Sequence, residues 1–211
     1  MKWNPLDTIY MNTLLNNVYG QKMISGEKVK QILYTTIDEI GKETIKADIS
    51  SNIESSQKYI DSILSRCITR LTSELNGNVN DIITGTLCEA LLHFMLTIST
   101  LPSERKVAVR EDLTIDVVIP SLAGLRRDTN TSIIIQIIKD MKADLNNIEG
   151  LELLQPNSQN VWLITPRPLS IAKHVDYTMF SDNVSRNYSN IITDIDRFLR
   201  DVKDKSFRFV H

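Results

Sequence analysis

Residues 133–139 read Ile-Ile-Ile-Gln-Ile-Ile-Lys, and this run constrains the fold more than any other segment of the chain. β-branched side chains favour strands, and a strand that is apolar on both faces has to be covered on both faces. The run therefore predicts an inner strand of a sheet in an α/β protein.

The segments around this strand have patterns typical of helices and strands in turn. An almost entirely apolar helix, opened by Asn78 and ended by Pro102, comes first, and a helix from Met141 to about Leu154 follows the isoleucine strand. An amphipathic helix at about Ser185–Lys203 and a short strand at Ser206–Val210 close the chain. The four principal strands are predicted at Lys106–Arg110, Leu113–Pro120, Ser132–Lys139 and Asn160–Thr165.

Residues 1–77 carry helical patterns only, so we expect a helical extension there and an α/β domain at residues 78–211. Pro5 and Gly20 suit the two ends of a first helix. Long amphipathic helices often mediate dimerisation, and we expect the chain to form a homo-oligomer through these N-terminal helices.

A second helix of this extension begins after Ser25, and its apolar stripe continues to Ile49. Ser51 and Glu54 have the spacing of a capping box, which predicts that a third helix starts there and runs to about Leu75. One long helix through this polar stretch is the alternative, and the sequence does not decide between them.

Polar residues interrupt three of the apolar segments. Glu89 lies in the helical sequence Gly85-Thr86-Leu87-Cys88-Glu89-Ala90, Asp116 lies in the second strand, and Gln136 lies in the third. An unpaired carboxylate is costly to bury, so these positions call for an explanation. Three consecutive strands after a buried helix, then a crossover helix and a fourth strand, is also an uncommon order.

This order and these residues together resemble the core of the PD-(D/E)XK nuclease superfamily, the restriction-endonuclease-like fold, over roughly residues 78–166. The resemblance implies a mixed sheet in the order helix, three strands, helix, strand. It further implies a Mg²⁺ ion held by Glu89, Asp116 and Gln136, a positive charge supplied by Lys139, and DNA as partner. Two carboxylates can hold such an ion, which polarises a phosphate and activates a water molecule, while a lysine stabilises developing charge.

The third strand departs from the family pattern of an acid and a lysine two residues apart. Gln136 stands where the acid belongs and Ile138 where the lysine belongs, while Lys139 comes one residue late. In a regular strand Lys139 would point to the opposite face, unless a bulge re-aims it. We therefore expect a degenerate nuclease with weak or no activity, or a non-catalytic scaffold on the same fold.

Each polar residue also has a purely structural interpretation. Asp116 could pair with Arg110 or Lys139, Glu89 could pair with His93 one helical turn later, and Gln136 could satisfy neighbouring polar groups. Two further basic sites are weaker candidates for contacts with a nucleic-acid backbone, namely Arg126-Arg127 and Arg167.

Composition narrows the function classes. A net charge of −2 and a pI near 5.9 argue against coating nucleic acid by bulk charge, although a local basic patch is allowed. Cys67 and Cys88 are expected to be buried thiols without a disulfide. The first residues lack the apolar core of a signal peptide and no apolar run is long enough to cross a membrane, so we expect a cytoplasmic protein without membrane contact. A Rossmann-like nucleotide site is disfavoured because the sequence has no glycine-rich loop.

Overall fold

The computed structural model describes residues 25–111, 113–168, 173–179 and 186–208, with the backbone alone described for 141–146 and 205–208. The helix predicted between residues 4 and 20 lies outside these ranges.

Within the described ranges, six strands form one mixed sheet whose spatial order follows the chain. The first three strands are antiparallel neighbours, and from the third strand onward the neighbours are parallel. The strands are β1 (Glu104–Arg110), β2 (Leu113–Ile119), β3 (Ile133–Ile137), β4 (Val161–Thr165), β5 (Val175–Thr178) and β6 (Arg186–Asn187).

Helices precede the sheet and connect its strands. The described α-helices are α1 (Gly26–Ile40), α2 (Lys42–Ser51), α3 (Ser55–Glu74), α4 (Asp81–Ile98), α5 (Leu122–Arg127), α6 (Met141–Leu154) and α7 (Ile191–Arg208). Short 3₁₀ helices lie at Thr129–Thr131, Ser158–Asn160 and Tyr188–Asn190. The predicted order of a buried helix, three strands, a helix and a fourth strand is confirmed.

The isoleucine strand is covered on both faces, as its sequence predicts. Ile133, Ile135 and Ile137 belong to the large apolar cluster that also contains α1, α3, α4 and α7 side chains. Ile134 belongs to a second cluster on the other face, with Leu125 of α5 and Leu151 of α6. The sheet is thus the middle layer of the molecule.

The front helices α1 and α2 are separated by a glycine. Gly41, at φ 99°, separates α1 from α2, because this left-handed backbone suits a residue without a Cβ. A third helix does start after Ser51, but the predicted capping box does not form. The Glu54 side chain makes no cap hydrogen bond, and the Glu54 backbone N–H donates to Asn52 Oδ1 at 3.0 Å.

The apolar stripes of these front helices are buried within the chain itself. Ile32, Ile37, Ile60 and Leu71 are each at most 5% exposed and join the cluster shared with α4. These apolar stripes are therefore buried without a second subunit. The homo-oligomer stays a prediction, and it would have to form through another face of the molecule.

Other expectations hold in part. Cys67 and Cys88 are buried free thiols, as predicted. The prediction of a strand at Ser206–Val210 is wrong for residues 206–208, because α7 continues to Arg208. The sequence did not predict β5, β6 or the short helix α5. The expectation that no apolar segment is long enough to cross a membrane is wrong for α4, which passes by length and composition; 67% of this helix is buried inside the fold, which accounts for its composition.

Candidate active site

Four charged side chains from different elements meet at one edge of the sheet. The ammonium of Lys106, on β1, lies 2.6 Å from Glu89 Oε1 and 2.6 Å from Asp116 Oδ1. The ammonium of Lys139, just after β3, contacts the other oxygen of Glu89. Helix α4, strands β1 and β2 and the segment just after β3 thus each contribute one residue to a single cluster, which we call the carboxylate–lysine cluster (Glu89, Lys106, Asp116 and Lys139).

Asp116 and Gln136 are neighbours across β2 and β3. Val117 pairs with Ile135, so these two residues come next on their strands. Gln136 Oε1 accepts from the Asp116 N–H at 3.3 Å, and Asp116 Oδ2 accepts from the Ile137 N–H at 2.8 Å. Side-chain oxygens therefore bond to the backbone here, and they fix the direction of the Asp116 carboxylate.

The strand alternation of β2 is interrupted at Asp116. Ile115 and Val117 would share a face in a regular strand, but Val117 packs in the cluster beside α4 and Ile115 packs in the cluster beside α6. This irregularity accompanies the turn of the carboxylate towards Glu89.

Lys106 reaches the cluster through two backbone features that the sequence did not reveal. The pairing of β1 with β2 shifts by one residue between Ala108 and Arg110, and beyond the shift Lys106 lies across from Asp116. Lys106 also has φ 50°, in the left-handed region, which costs an ordinary residue on the order of 1 kcal/mol.

Lys139 joins the cluster although no bulge interrupts β3, so the expectation that it points away is wrong. Ile135 and Ile137 face α4, and Lys139 is the next residue of this alternating series, so strand alternation itself places it on the face where Glu89 lies. The Lys139 side chain crosses α4 at Gly85. A Cβ added to Gly85 would lie 2.7 Å from the Cγ of Lys139. Glu89 is one turn further along that helix, within reach of the ammonium.

Electrostatics favour the charged forms of the acid and one lysine. Burial of Glu89 would raise its pKa, but hydrogen bonds from Lys106 and Lys139 outweigh burial and hold the pKa below its usual range. For Lys106, burial would lower the pKa, but the hydrogen bonds to Asp116 and Glu89 raise it above the ordinary value. The cluster is therefore a network of ion pairs.

The alternatives suggested by the sequence resolve as follows. Glu89 takes two lysines as partners, where the sequence suggested His93, whose pKa is lowered by burial and by nearby Arg105. Asp116 pairs with Lys106, where the sequence suggested Arg110 or Lys139.

Of the weaker basic candidates, Arg126 and Arg127 form the last turn of α5. Arg167 lies close to the cluster, because it lines a surface groove of about 450 Å³ with Lys139, Asp140 and the start of α4. Its guanidinium lies 3.6 Å from Asp81 and is mostly exposed.

The donors of this cluster fit a divalent cation. Glu89 and Asp116 each place an oxygen 2.6 Å from one point, the Lys106 nitrogen, so carboxylates from separate elements already converge on one cationic position. Mg²⁺ is commonly bound by one or two carboxylates, with water and phosphate completing its shell. In the described part of the chain, no three His, Cys, Asp or Glu side chains form a metal-binding group. The metal-binding and catalytic roles of Glu89, Asp116, Gln136 and Lys139 stay predictions.

Gly85→Ala is expected to destabilise the protein, although alanine normally favours a helix by about 1 kcal/mol over glycine. The added methyl would collide with Lys139 near its backbone, 2.7 Å from Cγ and 3.4 Å from Cα, and overpacking of this kind costs about 1–3 kcal/mol. We expect a net loss of about 1 kcal/mol in the free energy of unfolding, measured by urea denaturation.

Gly26→Ala is the matched control, since its new methyl would make only ordinary contact, 3.7 Å from Thr86. A Gly85→Ala protein as stable as the Gly26→Ala protein would show that Lys139 does not need the space above Gly85.

Two solved structures share this fold. Metal-depleted Ecl18kI in complex with uncleaved, modified DNA has a TM-score of 0.53 and 11% identity, over 90% of this chain and 83% of that one. The restriction endonuclease PspGI in its substrate DNA complex has a TM-score of 0.56 and 14% identity, over 82% of this chain and 93% of that one. No family model matches the sequence, and no curated protein sequence matches it.

At these identities the likeness establishes the fold alone. It is restriction-endonuclease-like, as the sequence predicted. The Ecl18kI match covers more of this chain than residues 78–211 could supply, so it extends into the front helices, beyond the residues that carried the sequence resemblance.

Proposed function

Because this chain has the restriction-endonuclease-like fold, we propose that it binds DNA and cleaves phosphodiester bonds with a divalent cation, at a low rate. The observation that carries the proposal is the convergence of Glu89 and Asp116 on one position, 2.6 Å from each. A nuclease of this kind needs two carboxylates aimed at one ion.

We assign each of these residues a separate role. Glu89 and Asp116 hold the cation, which when bound polarises the phosphate and lowers the pKa of a coordinated water molecule. The Gln136 side-chain oxygen accepts a hydrogen bond from the backbone N–H of Asp116 and so helps to orient Asp116. The same Gln136 oxygen remains a candidate neutral ligand. Lys139, held beside Glu89, stabilises the charge that develops on the phosphate.

The charge of the cluster explains why the rate should be low. Its two carboxylates are balanced by two ammonium groups, and Gln136 adds no charge where an acid would add one. The site therefore attracts a divalent cation less than a cluster with excess negative charge would.

DNA is the substrate that the surroundings favour. Both similar structures are DNA complexes. The groove beside Lys139 carries the exposed Arg167, which can contact a backbone phosphate next to the one that is cleaved. With a net charge of only −2, such local contacts have to overcome little bulk repulsion.

The test is a nuclease assay on single-stranded, duplex and branched DNA with Mg²⁺ or Mn²⁺. We expect slow cleavage that follows the protein peak through gel filtration and stops when EDTA removes the cation. Cleavage that persists in EDTA, or that separates from the protein peak, would overturn the proposal, as would DNA left intact after prolonged incubation with Mn²⁺.

One observation favours a second candidate, a non-catalytic scaffold on the same fold. Both carboxylates of the cluster already have lysine partners, as in an ion-pair network that only stabilises structure. A scaffold need not bind Mn²⁺, so a metal titration in which the protein takes up no Mn²⁺, even with DNA present, would favour this candidate.

A further inference from the structure

The ammonium of Lys106 occupies the position that the proposed cation would need. It lies 2.6 Å from one oxygen of Glu89 and 2.6 Å from one oxygen of Asp116, which is a bridging position between the two carboxylates. A divalent ion and this ammonium cannot share that position, because their charges repel and their volumes overlap. An ion held by both carboxylates therefore has to displace Lys106.

The structure around Lys106 allows such a displacement. The side chain is 48% exposed, and β1 is the edge strand of the sheet, so the ammonium can swing into solvent without unpacking the core. Lys139 differs: its side chain is only 28% exposed, and its stem lies against α4 over Gly85. Of the two lysines, Lys106 is the one that can leave.

We propose that Lys106 is an exchangeable counter-ion: it holds the Glu89–Asp116 position until a divalent cation replaces it, and it then pairs with a phosphate of bound DNA. The inference rests on the proposed function, because it takes Glu89 and Asp116 as the cation ligands. DNA offers the released ammonium a new anionic partner, so cation and DNA each favour the binding of the other. By linkage, this coupling has the same size in both directions.

The experiment measures Mn²⁺ affinity from the electron paramagnetic resonance signal of the free ion, with and without a short DNA duplex, and needs no cleavage. Lys106→Met removes the charge and keeps the length of the side chain, while Lys106→Arg keeps the charge. Lys58→Met is the matched control, since Lys58 also pairs with a carboxylate, Asp48 at 3.1 Å, on the front helices. Circular dichroism verifies the fold, and Lys106→Gln replaces the Met variant if that variant does not fold.

Without DNA, we expect Lys106→Met to bind Mn²⁺ about tenfold more tightly than the wild-type protein, because the competing charge is gone. DNA should tighten Mn²⁺ binding in the wild-type protein and do so less in Lys106→Met. The Arg and Lys58→Met variants should bind Mn²⁺ as the wild-type protein does.

Equal Mn²⁺ affinity in the wild-type and Lys106→Met proteins would overturn the inference, and metal-dependent cleavage by the wild-type protein would then leave the proposed function standing. If no variant binds Mn²⁺, with or without DNA, the inference and the cation of the proposed function fail together. Tighter binding in Lys106→Met without cleavage by any variant would support the inference and count against the nuclease activity alone.

Discussion

Asp116→Asn is expected to lower the rate of Mn²⁺-dependent DNA cleavage by at least about 100-fold, the size of loss that follows removal of one electrostatic contact to a transition state. The substitution removes one of the two negative charges that face the cation position. It keeps the shape of the side chain, and the amide oxygen can still accept from the Ile137 N–H, so the fold should be retained.

The measurement is a cleavage time course with a circular dichroism spectrum of each protein. Asp48→Asn is the control, because Asp48 is also paired with a lysine but lies on the front helices. Cleavage by Asp116→Asn at the rate of the control would move the active site away from this cluster.

Lys139→Met is expected to cost about 100-fold in the cleavage rate at saturating Mn²⁺. Methionine is unbranched and apolar like the lysine stem, so it can still lie over Gly85, but it removes the charge beside Glu89. Because Glu89 loses a competing partner, Mn²⁺ affinity should hold or rise while the rate falls. A variant that is merely misfolded would lose both.

Single-turnover rates over a range of Mn²⁺ concentrations separate the two effects. Lys173→Met provides the comparison, since Lys173 pairs with Glu152 at 2.8 Å and is not part of the cluster. An unchanged rate for Lys139→Met at saturating Mn²⁺ would mean that Lys139 serves only to hold Glu89 in place.

Local patterns were sufficient for much of the fold. The run at residues 133–139 predicts a doubly covered strand because its own side chains require burial, and the helix predicted at Met141–Leu154 has the bounds found. By contrast β5 is a four-residue strand with Asp176 within it, and its place depends on pairing with β4 rather than on a pattern of its own.

The candidate site was predictable to the extent that it depends on residue type. Glu89, Asp116 and Gln136 stood out because polar side chains in apolar segments need partners, and Asp116 does meet Gln136 across two strands. The direction of Lys139 was wrongly predicted because the site was expected on the face of Gln136. Ile135 and Ile137 lie on the α4 face, and Lys139 continues that series towards Glu89.

Lys106 was missed for a reason of register. Arg110 pairs with Leu113, and if that register continued, Lys106 would lie across from Val117 and not from Asp116. The one-residue shift next to Arg110 brings it across from Asp116 instead. A lysine in an exposed edge strand gives no local sign of such a shift, so only the paired strands reveal it.

The apolar cluster shared by the front helices and the sheet bears on how the chain unfolds. Side chains of α1 and α3 lie in the same buried cluster as those of α4 and β3, so residues 25–77 and the α/β part that follows them share one core. Loss of either part would leave α4 with an uncovered apolar surface, and the two parts should melt together in one cooperative transition. The front helices are then a structural prerequisite of the carboxylate–lysine cluster, and a fragment that begins at Asn78 would lack the layer that holds α4, and with it Glu89, against the sheet.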